Sequence, residues 1–134
     1  MIIESVRVSQ KARDQLIWIK RQTGIENWNT VCRWALFTSL AEATRPSREV
    51  THPESNIEMT WKTFAGPHEE LIVAMLQERC RQEGLPETPD QIALQFRVHL
   101  HRGIRYLFAD KSIHSIGALV GFVARDKFKN NSSL

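Results

Sequence analysis

Between Val31 and Leu40 the chain reads Val-Cys-Arg-Trp-Ala-Leu-Phe-Thr-Ser-Leu, and Arg33 is the only charge before Glu42. Asn27 and Asn29 are both good residues to open a helix here. A helix apolar on nearly every side has to be covered on every side. The residues before it offer one short strand and one small helix, too little for the task. Either the rest of the chain or a second copy must complete the cover, and we expect both.

The preceding segment has its own logic. Ile2, Val6 and Val8 alternate with Ile3, Ser5 and Arg7, so a strand would turn a mainly apolar side inward and show Ser5 and Arg7 outside, with Glu4 breaking the apolar side. Ser9 is placed to cap a helix in which Ala12, Leu16 and Ile19 recur at helical spacing, and Gly24 can end it. Arg13, Lys20 and Arg21 gather around Ile17 on a second stripe. Strand, helix, helix is the order of ribbon-helix-helix proteins, in which two copies pair their strands and lay the ribbon in a major groove. Arg7 would then reach a guanine edge or a phosphate. The same order also opens α+β domains with no link to nucleic acid, and a plain dimerisation element with a solvated basic stripe fits it equally.

Beyond this unit, Arg45 to Asn56 form a polar connection, and Ile57, Met59 and Trp61 alternate with polar neighbours as a short strand or extended arm ending at Phe64 and Gly66. Gly66 and Pro67 suit a helix start, with Leu71, Met75 and Leu76 as its buried stripe and Gly84 and Pro86 as its stop. Thr88 to Gln91 read as a capping box before a helix with Ile92, Phe96, Leu100, Ile104 and Leu107 on one face. Ser112 opens a last helix, in which Gly117 and Gly121 are four apart. The fold expected is mainly α: one domain over 1–134, with a ribbon-helix-helix-like unit at 1–44 (a short strand plus two helices), a loop and arm at 45–66, and about three further helices in 67–128.

The 134 residues carry a net charge of +3, unevenly spread. Residues 1–48 balance to +4, residues 49–96 to −6 and residues 97–134 to +5. Such segregation suits a basic face for phosphates, or opposite surfaces that meet between subunits. Cys32 and Cys80 lie far apart without paired spacing, which argues against zinc, a cluster or a disulfide framework, and Cys32 reads as a small buried apolar residue. Ile113 to Ala124 is too short to cross a bilayer, and no cleavable signal-like segment is evident, so a cytoplasmic protein without a membrane partner is expected.

Catalytic chemistry is hard to find. His99 and His101 are two apart on a helix and point to different sides, the wrong spacing for a metal; helix histidines of this kind pair with acids or phosphates. Arg97, Arg102 and Arg105 offer a basic surface along the same helix. There is no phosphate-binding glycine loop and no nucleophile beside a histidine and an acid. The reading is a non-enzyme without cofactor or metal.

Several segments resemble one family. Thr23-Gly24-Ile25 with Trp28-Asn29, Cys32 to Ala35, Glu58 to Phe64 with Gly66, and His99 to Ile104 look like those of the DNA sulfur-modification protein DndE. The likeness runs from the first strand to about Leu107. It implies a ribbon-helix-helix-like homo-oligomer, a tetramer, that serves bacterial DNA phosphorothioation as an accessory DNA-binding subunit. Its partners would be double-stranded DNA, a cysteine desulfurase, an iron–sulfur protein and an ATPase. Since backbone modification needs access to a phosphodiester, such a helper should grip phosphates at a nicked or flexed duplex. Helix geometry alone nominates Lys11, Arg13, Lys20 and Arg21, with Arg7 next and Lys62, Arg102 and Arg105 as outsiders; Arg33 suggests a buried carboxylate partner. A protein adaptor within the same system and a ribbon-helix-helix repressor remain alternatives.

Overall fold

Ser9 is where strand turns into helix. Its backbone is extended while its Oγ accepts the N–H of Ala12 at 3.1 Å, capping the helix that follows. In the computed structural model, which describes residues 3–47 and 54–110 and only the backbone of 54–57, this junction joins β1 (Ser5–Ser9) to α1 (Gln10–Thr23). Gly24, at φ 74°, ends α1 by returning its N–H to the Lys20 carbonyl at 2.9 Å. Asn27 precedes α2 (Trp28–Ala41) but makes no side-chain cap bond. The chain continues through β2 (Glu54–Thr60), the single-turn α3 (Trp61–Ala65), a 3₁₀ turn (Gly66–His68), α4 (Glu69–Gln82) and α5 (Pro89–Ala109). The fold is mainly helical, with a small two-stranded sheet at its N-terminal end.

The sheet differs from the expected ribbon. β1 pairs antiparallel with β2 of its own chain, Arg7 opposite Glu58 and Ser5 opposite Thr60, with a register irregularity between Arg7 and Ser9. An in-chain partner reaches β1 without the loss of translational freedom that a second copy would pay, which favours this pairing over one between copies. Val6 and Val8 face the core, and Ile3 is buried with them while Glu4 is exposed.

β2 also ends earlier than its alternation suggests. Thr60 Oγ1 accepts the Thr63 N–H at 3.1 Å and starts α3, so Trp61 and Phe64 lie one turn apart on a helix and point into the same aromatic cluster. Their ring centroids are 5.5 Å apart, and each lies within 5.3 Å of Phe96 on α5. Pro67 sits in the 3₁₀ turn and not at the first position of α4, which begins at Glu69. Thr88 caps α5 as read, accepting the Gln91 N–H at 3.3 Å with Pro89 at the first helical position. The helix expected from Ser112, with Gly117 and Gly121, lies outside the described residues.

α5 is the spine. Residues 98–104 are all buried, and Gly103 brings its backbone against Ala35 of α2 so closely that a Cβ there would stand 1.7 Å from the Ala35 oxygen. This approach explains how α2 is covered. Val31, Cys32, Ala35, Leu36, Thr38 and Ser39 are buried within the single chain, and its other large apolar residues, Trp28, Trp34, Phe37 and Leu40, are half-buried. The apolar helix alone therefore does not demand a second copy. Burial pushes the Cys32 thiol up to about 12, against the opposing charge of Arg33, so it is a packed apolar residue.

The C-terminal end of α2 has no basic residue of its own in the last turn. Two arginines from other helices supply the charge that its carbonyls favour. Arg102 donates from Nε to Ser39 Oγ and from Nη2 to Ser39 O, both at 2.8 Å, and from Nη1 to Thr44 O at 2.7 Å. Arg79 donates to the carbonyls of Leu40 and Glu42. His99 adds its Nδ1 2.8 Å from Ser39 Oγ, with its ring fully buried.

Candidate nucleic-acid interface

The last turn of α1 and the first residue of α2 meet around the Gly24–Asn27 connection, and the nominated cations are best read from there. At about 100° and 1.5 Å per residue, Arg13, Lys20 and Arg21 occupy a sector of roughly 100° around Ile17, spread along about 12 Å of axis. Ala12, Gln15, Leu16, Ile19 and Thr23 bury the opposite face, so this stripe looks outward. Lys11, though exposed, stands roughly 160–180° around the helix from Arg13 and Lys20. It flanks the stripe and does not belong to it. Arg13 lies 3.7 Å from Asp14, its side chain about one-third exposed. Lys20 and Arg21 also suit the negative end of the helix dipole, a local reason for basic residues at this spot.

Lys20 and Arg21 rim an open groove of about 460 Å³, also lined by Ile17, Gly24, Ile25, Glu26 and Trp28. The Lys20 ammonium lies 3.9 Å from the centre of the Trp28 ring, a cation–π contact at a half-buried indole. Lys20 connects the stripe to the groove. Trp28 escaped the sequence reading as a site residue. The available signal was an aromatic residue placed directly after Asn27 and close behind a basic helix end, the interleaving that suits nucleic acid.

The other nominated residues lie away from this groove. Arg7 is exposed on the outer side of β1, where Nη2 lies 2.7 Å from Glu58 Oε2. The hydrogen bond and charge of Arg7 hold the Glu58 carboxyl below the ordinary carboxylate range. Lys62 is exposed on α3. Arg102 is 3% exposed and bound to the end of α2, so it cannot front a basic surface; Arg105, three residues on, is half-buried, and Arg97 Nη1 donates to the Arg7 carbonyl at 3.4 Å. Packing of α5 against α2 and β1 takes up most of the surface that three arginines on one helix suggested. Arg33 likewise finds a backbone partner in place of a carboxylate, donating to Phe64 O at 2.9 Å.

Both histidines of α5 serve the interior. His101 Nε2 accepts the Ser9 N–H at 3.2 Å, so the ring is neutral there and its Nδ1–H donates to Arg97 O at 2.8 Å. His99 is held far below the usual imidazole range, to about 3, first by desolvation and then by the charges of Arg79 and Arg102. His99 turns to Ser39 where an acid or phosphate was expected, and His101 reaches the backbone of Ser9 and Arg97. Among the described residues no group of three or more His, Cys, Asp or Glu is placed to hold a metal ion, and no helix is long and apolar enough to cross a membrane.

A family model described as DNA sulphur modification protein DndE matches residues 5–115. The chain belongs to the DndE family. No match is found among curated proteins. Membership ties this DndE-family chain to DNA sulfur modification. The matched span takes in β1, the α1 stripe, the Trp28 groove and all of α5. It also contains the His99-to-Ile104 segment, whose residues are buried against α2. That part of the pattern is explained by packing: Gly103 admits Ala35, and Arg102 secures the end of α2.

Proposed function

We propose that this DndE-family protein is a non-catalytic DNA-binding subunit of the bacterial phosphorothioation system, gripping the phosphate backbone at nicked or flexed duplex. The observation that carries the reading is the outward stripe of Arg13, Lys20 and Arg21 continuing into the Trp28 groove. Its length along α1 is comparable to three or four base steps on one strand, enough to meet successive phosphates. Contacts of this kind position a protein on DNA without reading sequence. Lys11 and Arg7 act at the margins, the first on the flank of α1 and the second after release from Glu58.

In this reading the subunit holds the backbone while a cysteine desulfurase, an iron–sulfur protein and an ATPase perform and power the sulfur chemistry. It works as a homo-oligomer, a tetramer, in the cytoplasm. Half-buried Trp34, Phe37 and Leu40 on α2, with Leu71 at 56% exposure on α4, leave apolar surface suited to subunit contacts. The same surface favours a second reading, an adaptor that binds only the other sulfur-modification proteins. The test is charge reversal, Lys20→Glu with Arg21→Glu, followed by retention assays on intact and nicked duplex. Loss of retention with unchanged circular dichroism supports backbone binding. Unchanged retention removes this surface, and absence of salt-sensitive DNA binding by the wild-type protein favours the adaptor.

A further inference from the structure

The groove beside Lys20 holds more than phosphate binding requires. A surface meant only for phosphates needs cations, yet here an indole stands half-open beside them over an apolar floor of Ile17 and Ile25. One face of Trp28 carries the Lys20 ammonium at 3.9 Å, on a long side chain that can be displaced by rotation about its own bonds. Space above Gly24 is open, with no heavy atom beyond its chain neighbours within 4 Å of where a Cβ would project. Flat π-surface, apolar floor and adjacent cations are together the chemistry of a nucleotide: base against indole, phosphate against ammonium and guanidinium.

We propose that this groove receives one unstacked nucleotide of a DNA strand, its base on Trp28 and its phosphate between Lys20 and Arg21. The proposal rests on the backbone-binding reading above and specifies what the site recognises. Lys20 has two positions in it. Without DNA its ammonium rests over the ring; when a base arrives, the ammonium leaves the ring for the phosphate and the base takes its place. Glu26, the carboxylate among the lining residues, repels phosphate and so favours its seat beside Lys20 and Arg21. Bases inside an intact duplex are stacked on both faces. Trp28 can therefore meet a base only at a nick end, a gap or a bulge, which makes the groove a detector of disrupted stacking.

The test compares affinities, by fluorescence anisotropy at one salt concentration, for an intact duplex and for the same duplex carrying one unpaired thymidine. The wild-type full-length chain should bind the second about tenfold tighter, at the lower end of what base–aromatic stacking supplies. Trp28→Leu, which keeps apolar bulk for folding, should bring that ratio close to one, whereas Trp28→Phe should keep most of it. A tenfold ratio that persists in Trp28→Leu overturns the proposal. So does a ratio of one in the wild-type protein, while leaving backbone binding intact. Failure of the wild-type chain to bind either duplex would overturn the backbone reading and the nucleotide site together.

Discussion

Acid should loosen this protein through His99 in a measurable way. The ring is fully buried on α5, with Nδ1 facing Ser39 Oγ at 2.8 Å and the charges of Arg79 and Arg102 nearby. Desolvation and those two cations hold it at about 3, against 6.5 for an ordinary histidine. In the unfolded chain the ring takes up a proton as pH falls through 6.5; in the folded chain it stays neutral down to about pH 3. The unfolded state thus binds more protons throughout this window, and stability falls as pH falls across it. At pH 5 the ring is about 1.5 pH units below its unfolded value, which corresponds to a loss of about 2 kcal/mol at 1.36 kcal/mol per unit. Urea denaturation at pH 7 and pH 5, on the wild-type chain and on His99→Gln, isolates this contribution. Glutamine keeps a polar atom toward Ser39 but does not titrate, while the other four histidines and all carboxylates are common to both chains. The wild-type chain should lose about 2 kcal/mol more than the variant between the two pH values. Parallel pH dependence in the two proteins would refute the argument.

Two further outcomes test the packing. Gly103→Ala would drive a Cβ to 1.7 Å from the Ala35 oxygen and 2.4 Å from its carbonyl carbon, and backbone cannot swing aside as a side chain can. The variant should lose on the order of 3 kcal/mol or more, lowering Tm by about 10 °C in a thermal melt; a wild-type Tm would mean that α2 and α5 do not meet there. Cys32, pushed up to about 12, and Cys80, raised by burial and by Glu83 and Glu87, should resist a thiol reagent at pH 8 until the chain unfolds. Rapid labelling of the folded protein would contradict their placement.

What the sequence made legible was local. Ser9, Gly24 and Thr88 announce helix ends because each acts on backbone within a few residues of itself. The outward stripe of Arg13, Lys20 and Arg21 follows from helical spacing alone. The partner of β1 does not, because Arg7 and Glu58 are 51 residues apart and alternation in a strand names no partner. Arg102 looked like surface charge for the same reason. Its neighbours in sequence include two histidines and Arg105, but its neighbours in space are Ser39 and Thr44 at the end of α2. Trp28 was hidden differently. An aromatic residue at a helix start reads as core, and only the meeting of α1 and α2 at the Gly24–Asn27 connection shows that it borders a basic groove.

The central claim is that the α1 stripe holds DNA by neutralising phosphates, and the salt dependence of binding tests it most directly. With Arg13, Lys20 and Arg21 each neutralising one phosphate per chain, the logarithm of the binding constant should fall with the logarithm of salt concentration at a slope of about −2.7 or steeper. Lys20→Ala with Arg21→Ala should make that slope shallower by about 2 and weaken binding alike on unrelated sequences. An unchanged slope in the double variant, or a wild-type slope near zero, would contradict the account.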